Sequence, residues 1–208
     1  TIPADADVVV CQRILADRAA KSAPQAQLVT LDNFLADPHL DALYNALTST
    51  APVLDAKAEA AAKEQIEWGL HQADIIKISD EEVDFLWGLS PQESAQKLLT
   101  EYGASLVYVT LGPKGCYFAN RNCTGEIASP AEIHVVDTTG AGDIFGGSAM
   151  SRFLKLNKAP ADLTKKELTA ITTFACCAAS LSTQKHGGIT SVVPEAEVRE
   201  RIARMVQA

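Results

Sequence analysis

The chain has 208 residues, 47% hydrophobic, 6% aromatic and 21% charged, with 18 basic and 26 acidic side chains and a net charge of −8. That is an ordinary globular composition, and a chain of this length buries enough surface to fold as one domain without disulfides or a structural metal. No basic run exceeds Lys165-Lys166, and no apolar stretch approaches the roughly 20 residues of a membrane helix, so neither nucleic acid nor membrane is an expected partner. Five cysteines, with Cys176 and Cys177 adjacent, do not form a secreted disulfide framework, and Thr1 opens no signal-like segment. A reducing compartment is expected, the cytoplasm or an organelle stroma. The opening on Thr1 suggests a processed or trimmed product.

In chain order, Asp7 to Cys11 reads as a short buried strand, followed by a helical stretch to about Ser22 and a second strand over Gln27 to Leu31. Residues 37 to 72 have helical composition broken near Thr48 to Pro52, which predicts two helices. Asp74 to Ile78 predicts a strand; Ser79-Asp-Glu-Glu82 then opens a helix that runs to about Trp87 and ends at Gly88. Ser105 to Leu111 and Cys116 to Ala119 predict a hairpin, joined by Gly112-Pro-Lys-Gly115 as a type I turn. A further strand is expected at Glu132 to Val136, and a helix from about Ala141 to Leu156.

Thr164 and Glu167 have capping-box spacing ahead of a long helix with Leu168, Ile171, Phe174, Ala178 and Leu181 on one face. Pro194 opens the last helix, whose apolar face carries Val198, Ile202 and Met205. Alternating strands and helices predict an α/β fold with a mostly parallel central sheet and helices on both faces. Neither an internal repeat nor an interdomain linker is apparent.

The densest chemistry lies in Val136-Asp-Thr-Thr-Gly-Ala-Gly-Asp-Ile-Phe-Gly-Gly147, between a strand and a helix. Glycines let backbone N–H groups approach an oxyanion, and the helix start adds the positive end of its dipole, so the turn suits phosphate. Asp143 beside such a cradle would repel an anion unless it serves as a base for a hydroxyl or as a metal ligand, which points to phosphoryl transfer onto an alcohol. A plainer account is a Gly-rich turn with Asp143 as a first-turn helix acid. A dinucleotide fingerprint does not fit, because Gly146 falls one position late after Gly140 and Gly142. Gly112-Pro-Lys-Gly115 lacks the spacing and hydroxyl of a Walker A loop.

These residues resemble the ribokinase and fructokinase superfamily, the phosphofructokinase B type carbohydrate kinases. Asp137 to Phe145 is similar to the family's C-terminal signature. Ala73-Asp-Ile-Ile-Lys-Ile-Ser-Asp-Glu-Glu82 is fructokinase-like, and Val109-Thr-Leu-Gly-Pro-Lys-Gly115 and Gly187-Gly-Ile-Thr-Ser191 agree in order and spacing. The resemblance covers about residues 66 to 208 and is weak over 1 to 65. It implies a ribokinase-like three-layer α/β/α fold in a single domain, and ATP-dependent phosphorylation of a small sugar, fructose first.

By the resemblance, Asp143 would be the base, and the amides of Ala141, Gly142 and Asp143, beside Gly140, would form the anion hole. Thr110, Gly112 and Gly115 would touch the nucleotide, and the loop from Gly187 and Gly188 would close its site. Glu82 would help hold magnesium through water, with Ser79 where many members have Asn; a capping box is the plainer account of that pair. Carbonyls of Asp137, Thr139, Ser182, Lys185 and Gly187, with Ser191, would surround a monovalent cation such as potassium. Cys176 and Cys177 read as packing residues, and His39, His71, His134 and His186 have no metal-ligand spacing. The family's N-terminal Gly-Gly-x-x-x-Asn sugar segment and small β lid are not visible before residue 66. A fragment of a kinase is therefore one expectation. The alternative is a non-catalytic, kinase-like scaffold subunit of a larger assembly; a homo-oligomer is compatible with either.

Overall fold

The computed structural model describes residues 8–12, 16–31 and 56–207, and these divide into two compact units at Ala60 and Ala61. In the first unit, β1 (Val8–Gln12) and β2 (Gln27–Leu31) pair in parallel through the crossover helix α1 (Ala16–Ser22). Ala19 and Ala23 are buried there. The expected helix after residue 37 lies outside the described residues, whereas its successor is α2 (Ala56–Leu70).

The second unit is built on a mixed sheet of β3 (Ile75–Ser79), β4 (Leu106–Thr110), β5 (Gly115–Asn120) and β6 (Thr124–Ala128), in that spatial order. β3 and β4 are parallel, and the sheet turns antiparallel at β5 and β6. The turn expected at Gly112 to Gly115 causes the reversal: it is a single 3₁₀ turn in which the Gly115 N–H donates to the Gly112 carbonyl. Leu106 to Val109 are all buried, because β4 is covered on both faces.

Period-two alternation sorts the sheet residues into two cores. On one face, Ile76, Ile78, Val107, Val109 and Ala119 pack against α3 (Asp80–Trp87) and α4 (Pro91–Thr100) through Val83, Leu86, Ala95, Leu98 and Leu99. On the other, Leu106, Tyr108, Cys116 and Phe118 meet α5 (Ala141–Leu154) and α6 (Lys165–Ser182) through Phe145, Ala149, Leu168, Ile171, Ala175 and Cys176. The last helix, α7 (Glu195–Gln207), lays Val198 against Phe174 and Cys177 of α6. The second unit is thus an α/β/α sandwich.

Capping boxes start three helices: Ser79 with Glu82, Ser90 with Glu93, and Thr164 with Glu167. α4 is not among the elements expected from the sequence, although Ser90, Pro91 and Glu93 carry the capping-box and N1-proline signals together. β6 is also unexpected. The strand expected at Glu132 to Val136 does not form: Glu132 has φ 59°, and Val135 and Val136 are 53% and 42% exposed. The segment's apolar residues find no neighbouring strand among the described residues. Its end is instead tied to the C-terminus of α6, where the N–H groups of Val136 and Asp137 both donate to the Thr183 carbonyl at 2.7 and 3.0 Å.

Buried Asn120 closes the hairpin end. Its Nδ2 donates to the Leu163 carbonyl at 2.8 Å, and its Oδ1 accepts from the N–H groups of Asn122 and Cys123 at 3.0 and 2.9 Å. Burial pushes the thiols of Cys176 and Cys177 up to about 12 and about 11, as suits packing residues.

Candidate active site

α5 begins unlike the capped helices. Its N-cap is Gly140, in the left-handed region at φ 76°, with no side-chain cap. A Cβ there would lie 2.7 Å from the Gly188 Cα, so the position demands glycine for both torsion and space. The Ala141 N–H donates to the Thr138 carbonyl at 3.1 Å. Ala141's amide is therefore already engaged, and Gly142 and Asp143 supply the open N–H donors of the first turn. Asp143 is exposed and forms no hydrogen bond or ion pair with the described residues.

Asp137 fastens this turn to the Gly187 loop. Its Oδ1 accepts from the Thr139 N–H and its Oδ2 from the Gly187 N–H, both at 2.8 Å. The Gly187 amide first, then Thr139, hold its carboxyl down at about 2. His186 approaches it at 3.9 Å. Within the loop the Ser191 hydroxyl donates to the Gly188 carbonyl at 3.2 Å, and the Lys185 N–H donates to the Ser182 carbonyl at 3.1 Å. Asp137, Thr139, Gly187, Gly188 and Gly140 thus come together from two segments. Among the described residues, no three His, Cys, Asp or Glu side chains converge as a metal site.

Beside the first turn of α5 lies a cavity of about 680 Å³, walled by the ends of β3 and β4, the Gly112 turn and the α6 C-terminus. Thr110, Gly112, Gly115, Ala141 and Gly142 line it. Thr110 Oγ1 donates to the Ile78 carbonyl at 3.4 Å, tying the two strand ends together. The volume suits a small-molecule or cofactor site. Asp143, Gly140 and the Gly187 loop lie outside its lining, as does Glu82. Glu82 serves the α3 cap: its Oε2 accepts from the Ser79 N–H at 2.7 Å and from the Ser79 hydroxyl at 2.9 Å. The acids in the lining are Asp80, Glu81 and Glu132. Lys77 also lines the cavity and is not singled out by the sequence motifs, though a lysine between Ile76 and Ile78 in an apolar strand is a visible irregularity.

Residues 14–196 match the pfkB family of carbohydrate kinases. The chain belongs to that family. A fructokinase-1 of Zea mays is 37% identical over 134 residues, 64% of this chain and 41% of the maize protein. The chain therefore spans about two fifths of that relative's length. Among solved structures, a fructokinase of Xylella fastidiosa with bound ATP superimposes with a TM-score of 0.61 at 24% identity, over 69% of this chain and 47% of its own. An E. coli protein described as a ribokinase II, in complex with ATP and magnesium, gives 0.59 at 24% identity, over 73% and 45%. The pfkB chain has the ribokinase-like fold that its motifs implied; where a mostly parallel sheet is expected from the sequence, the four-stranded sheet is mixed, with β3 and β4 parallel and β5 and β6 antiparallel.

Proposed function

We propose that the chain carries the nucleotide and phosphoryl-transfer side of a sugar kinase, with ATP and magnesium as cofactors and fructose as the acceptor. The observation that carries this is the cavity of about 680 Å³ that ends on the uncapped, glycine-started α5. Kinship with the maize fructokinase supports fructose, and the ATP and magnesium of the two solved relatives support the cofactors.

In this reading the open amides of Gly142 and Asp143 hold the charge of the transferring group, and Asp143 takes the proton of the acceptor hydroxyl. Thr110, Gly112 and Gly115 wall the nucleotide, and Asp137 fixes the Gly187-Gly188 loop against the turn that starts α5. Magnesium, which neutralises phosphate charge when bound, falls to the acids at the start of α3, Glu82 through water. Potassium falls to the carbonyls of Asp137, Thr139, Ser182, Lys185 and Gly187 with Ser191, where the two segments meet.

The 208-residue chain alone is expected to bind nucleotide yet release ADP slowly or not at all with fructose, so the test is coupled ADP release by the natural full-length protein with fructose, ribose or no sugar, repeated on Asp143→Asn. Release that depends on fructose and falls by roughly 10²- to 10⁴-fold in the variant, with nucleotide binding retained, is expected. Intact nucleotide binding without sugar-dependent release would contradict the kinase reading and favour a non-catalytic subunit.

A further inference from the structure

Arg152 lies in the last turn of α5, at the opposite end from Gly140, and its side chain is only 15% exposed. Its guanidinium stacks 3.9 Å from the centroid of the Phe174 ring on α6, and its Nη2 is 2.5 Å from the carboxylate of Glu195, the first residue of α7. Its Nε is buried without a partner among the described residues. An apolar side chain of similar volume would cover Phe174 without taking a charge out of water, so packing alone does not call for arginine here. What the pair joins is the two ends of one segment. At the start of α5, a Cβ on Gly140 would lie 2.7 Å from the Gly188 Cα; at its end, Arg152 holds Glu195. From Gly140 to Arg152 the helix rises about 18 Å. The chain from Gly188 back to Glu195 reaches at most about 22 Å, because residues 189–192 are folded into a turn by the Val192 N–H on the Ile189 carbonyl at 3.4 Å. So short a return passes a displacement of one end on to the other.

We propose that Arg152 is a positioning residue for the nucleotide site: through Glu195 it fixes the far end of the Gly187-Gly188 loop, and so sets how that loop meets the turn that starts α5. This inference rests on the proposed nucleotide site, whose cavity Arg152 itself does not line. Val193 and Val198 already hold α7 to Phe174 and Cys177 of α6, but apolar contact is non-directional and leaves the helix free to slide or roll. A charge-assisted pair with a planar guanidinium selects one arrangement. Arg199 and Lys155 also reach Glu195, but both are largely exposed, which leaves Arg152 as the buried partner that ties α7 to α5.

The experiment compares the chain with Arg152→Met, Glu195→Gln, the double variant, and Lys158→Met as a control that breaks the Lys158–Glu167 pair at the other end of α6. Amide NMR reads the loop, calorimetry reads ATP binding, and thermal unfolding reads stability. Arg152→Met is expected to shift the amide signals of Gly187 and Gly188 without ligand and to weaken ATP about three- to tenfold. The double variant should do no more than Arg152→Met, as for residues that act as one unit. It should also keep the parent's thermal midpoint within a few degrees, because it leaves no buried charge unpaired. Lys158→Met should move neither the loop signals nor the ATP affinity. Unmoved Gly187 and Gly188 signals in Arg152→Met, or ATP losses that add in the double variant, would overturn the inference. So would an equal ATP loss in Lys158→Met, the sign of general loosening. Shifted signals with ATP affinity unchanged would refute the positioning role and leave the nucleotide site standing. If the unaltered chain does not bind ATP, the nucleotide site itself fails, and the role of Arg152 with it.

Discussion

The carboxylate of Asp137 accepts a hydrogen bond from the N–H of Gly187, 50 positions later in the chain, while its other oxygen accepts from Thr139 two positions on. One side chain thereby sets the spacing between the turn that starts α5 and the loop that lies against it. The contact of Gly140 with Gly188 depends on that spacing.

Asp137 gives a pH prediction with a defined sign. Its carboxyl is lowered from 3.8 to about 2, chiefly by the Gly187 amide, so the native state favours the ionised form. The stabilisation is complete above the unfolded value, and is lost as pH falls from 3.8 to about 2. Carbon-13 NMR of the carboxyl should show a midpoint near 2, and the unfolding curve of Asp137→Asn should lose less stability across that window than the parent. A midpoint at or above the ordinary value would show that the clamp is not formed in solution.

Two glycines of the α5 segment should respond in opposite directions to alanine. Gly140→Ala forces a side chain into the left-handed region and against Gly188, and should cost about 1–3 kcal/mol. Gly147 is exposed inside the helix with nothing near a new Cβ, so Gly147→Ala should add about 0.5–1 kcal/mol. Urea unfolding midpoints decide both; equal effects would contradict the close approach at Gly140.

Two buried polar side chains make a second contrast. Asn120 joins the hairpin to the Leu163 carbonyl and to the amides of Asn122 and Cys123, so Asn120→Ala strands several groups and should cost about 2–4 kcal/mol. The Tyr108 hydroxyl is buried without a partner among the described residues, while its ring packs edge-on against Phe145 at 5.6 Å. Tyr108→Phe keeps the ring contact and should be neutral or stabilising by about 1 kcal/mol. A loss above about 1 kcal/mol by chemical denaturation would mean that the hydroxyl is bonded in solution.

Much of the local structure is legible because it rests on local chemistry. β2 has the expected bounds, Gly88 ends α3 in the left-handed region, and the Thr164 capping box starts α6 as its spacing requires. Apolar content misleads over Glu132 to Val136, because a strand also needs an edge to pair with, which no window of sequence shows. α4 escapes a reading by apolar content although its capping signals are present, its apolar residues being fewer than in the longer helices. At the site, Gly140, Gly142 and Asp143 are readable from the motif. The pairing of Arg152 with Glu195 is not, because the two stand on different helices and meet only in the fold.

The central claim is that the open start of α5 and the cavity beside it hold the phosphates of a nucleotide. Residue-resolved amide hydrogen exchange on the 208-residue chain, with and without magnesium and ATP, tests it most directly. The account predicts slowed exchange at the amides of Gly142 and Asp143 and along Gly112 to Gly115, with α4 unchanged. At a hundredfold excess over the dissociation constant, the same ligand should stabilise the fold by about 2.7 kcal/mol. Exchange at Gly142 and Asp143 that is indifferent to ATP, or protection confined to other parts of the chain, would contradict it.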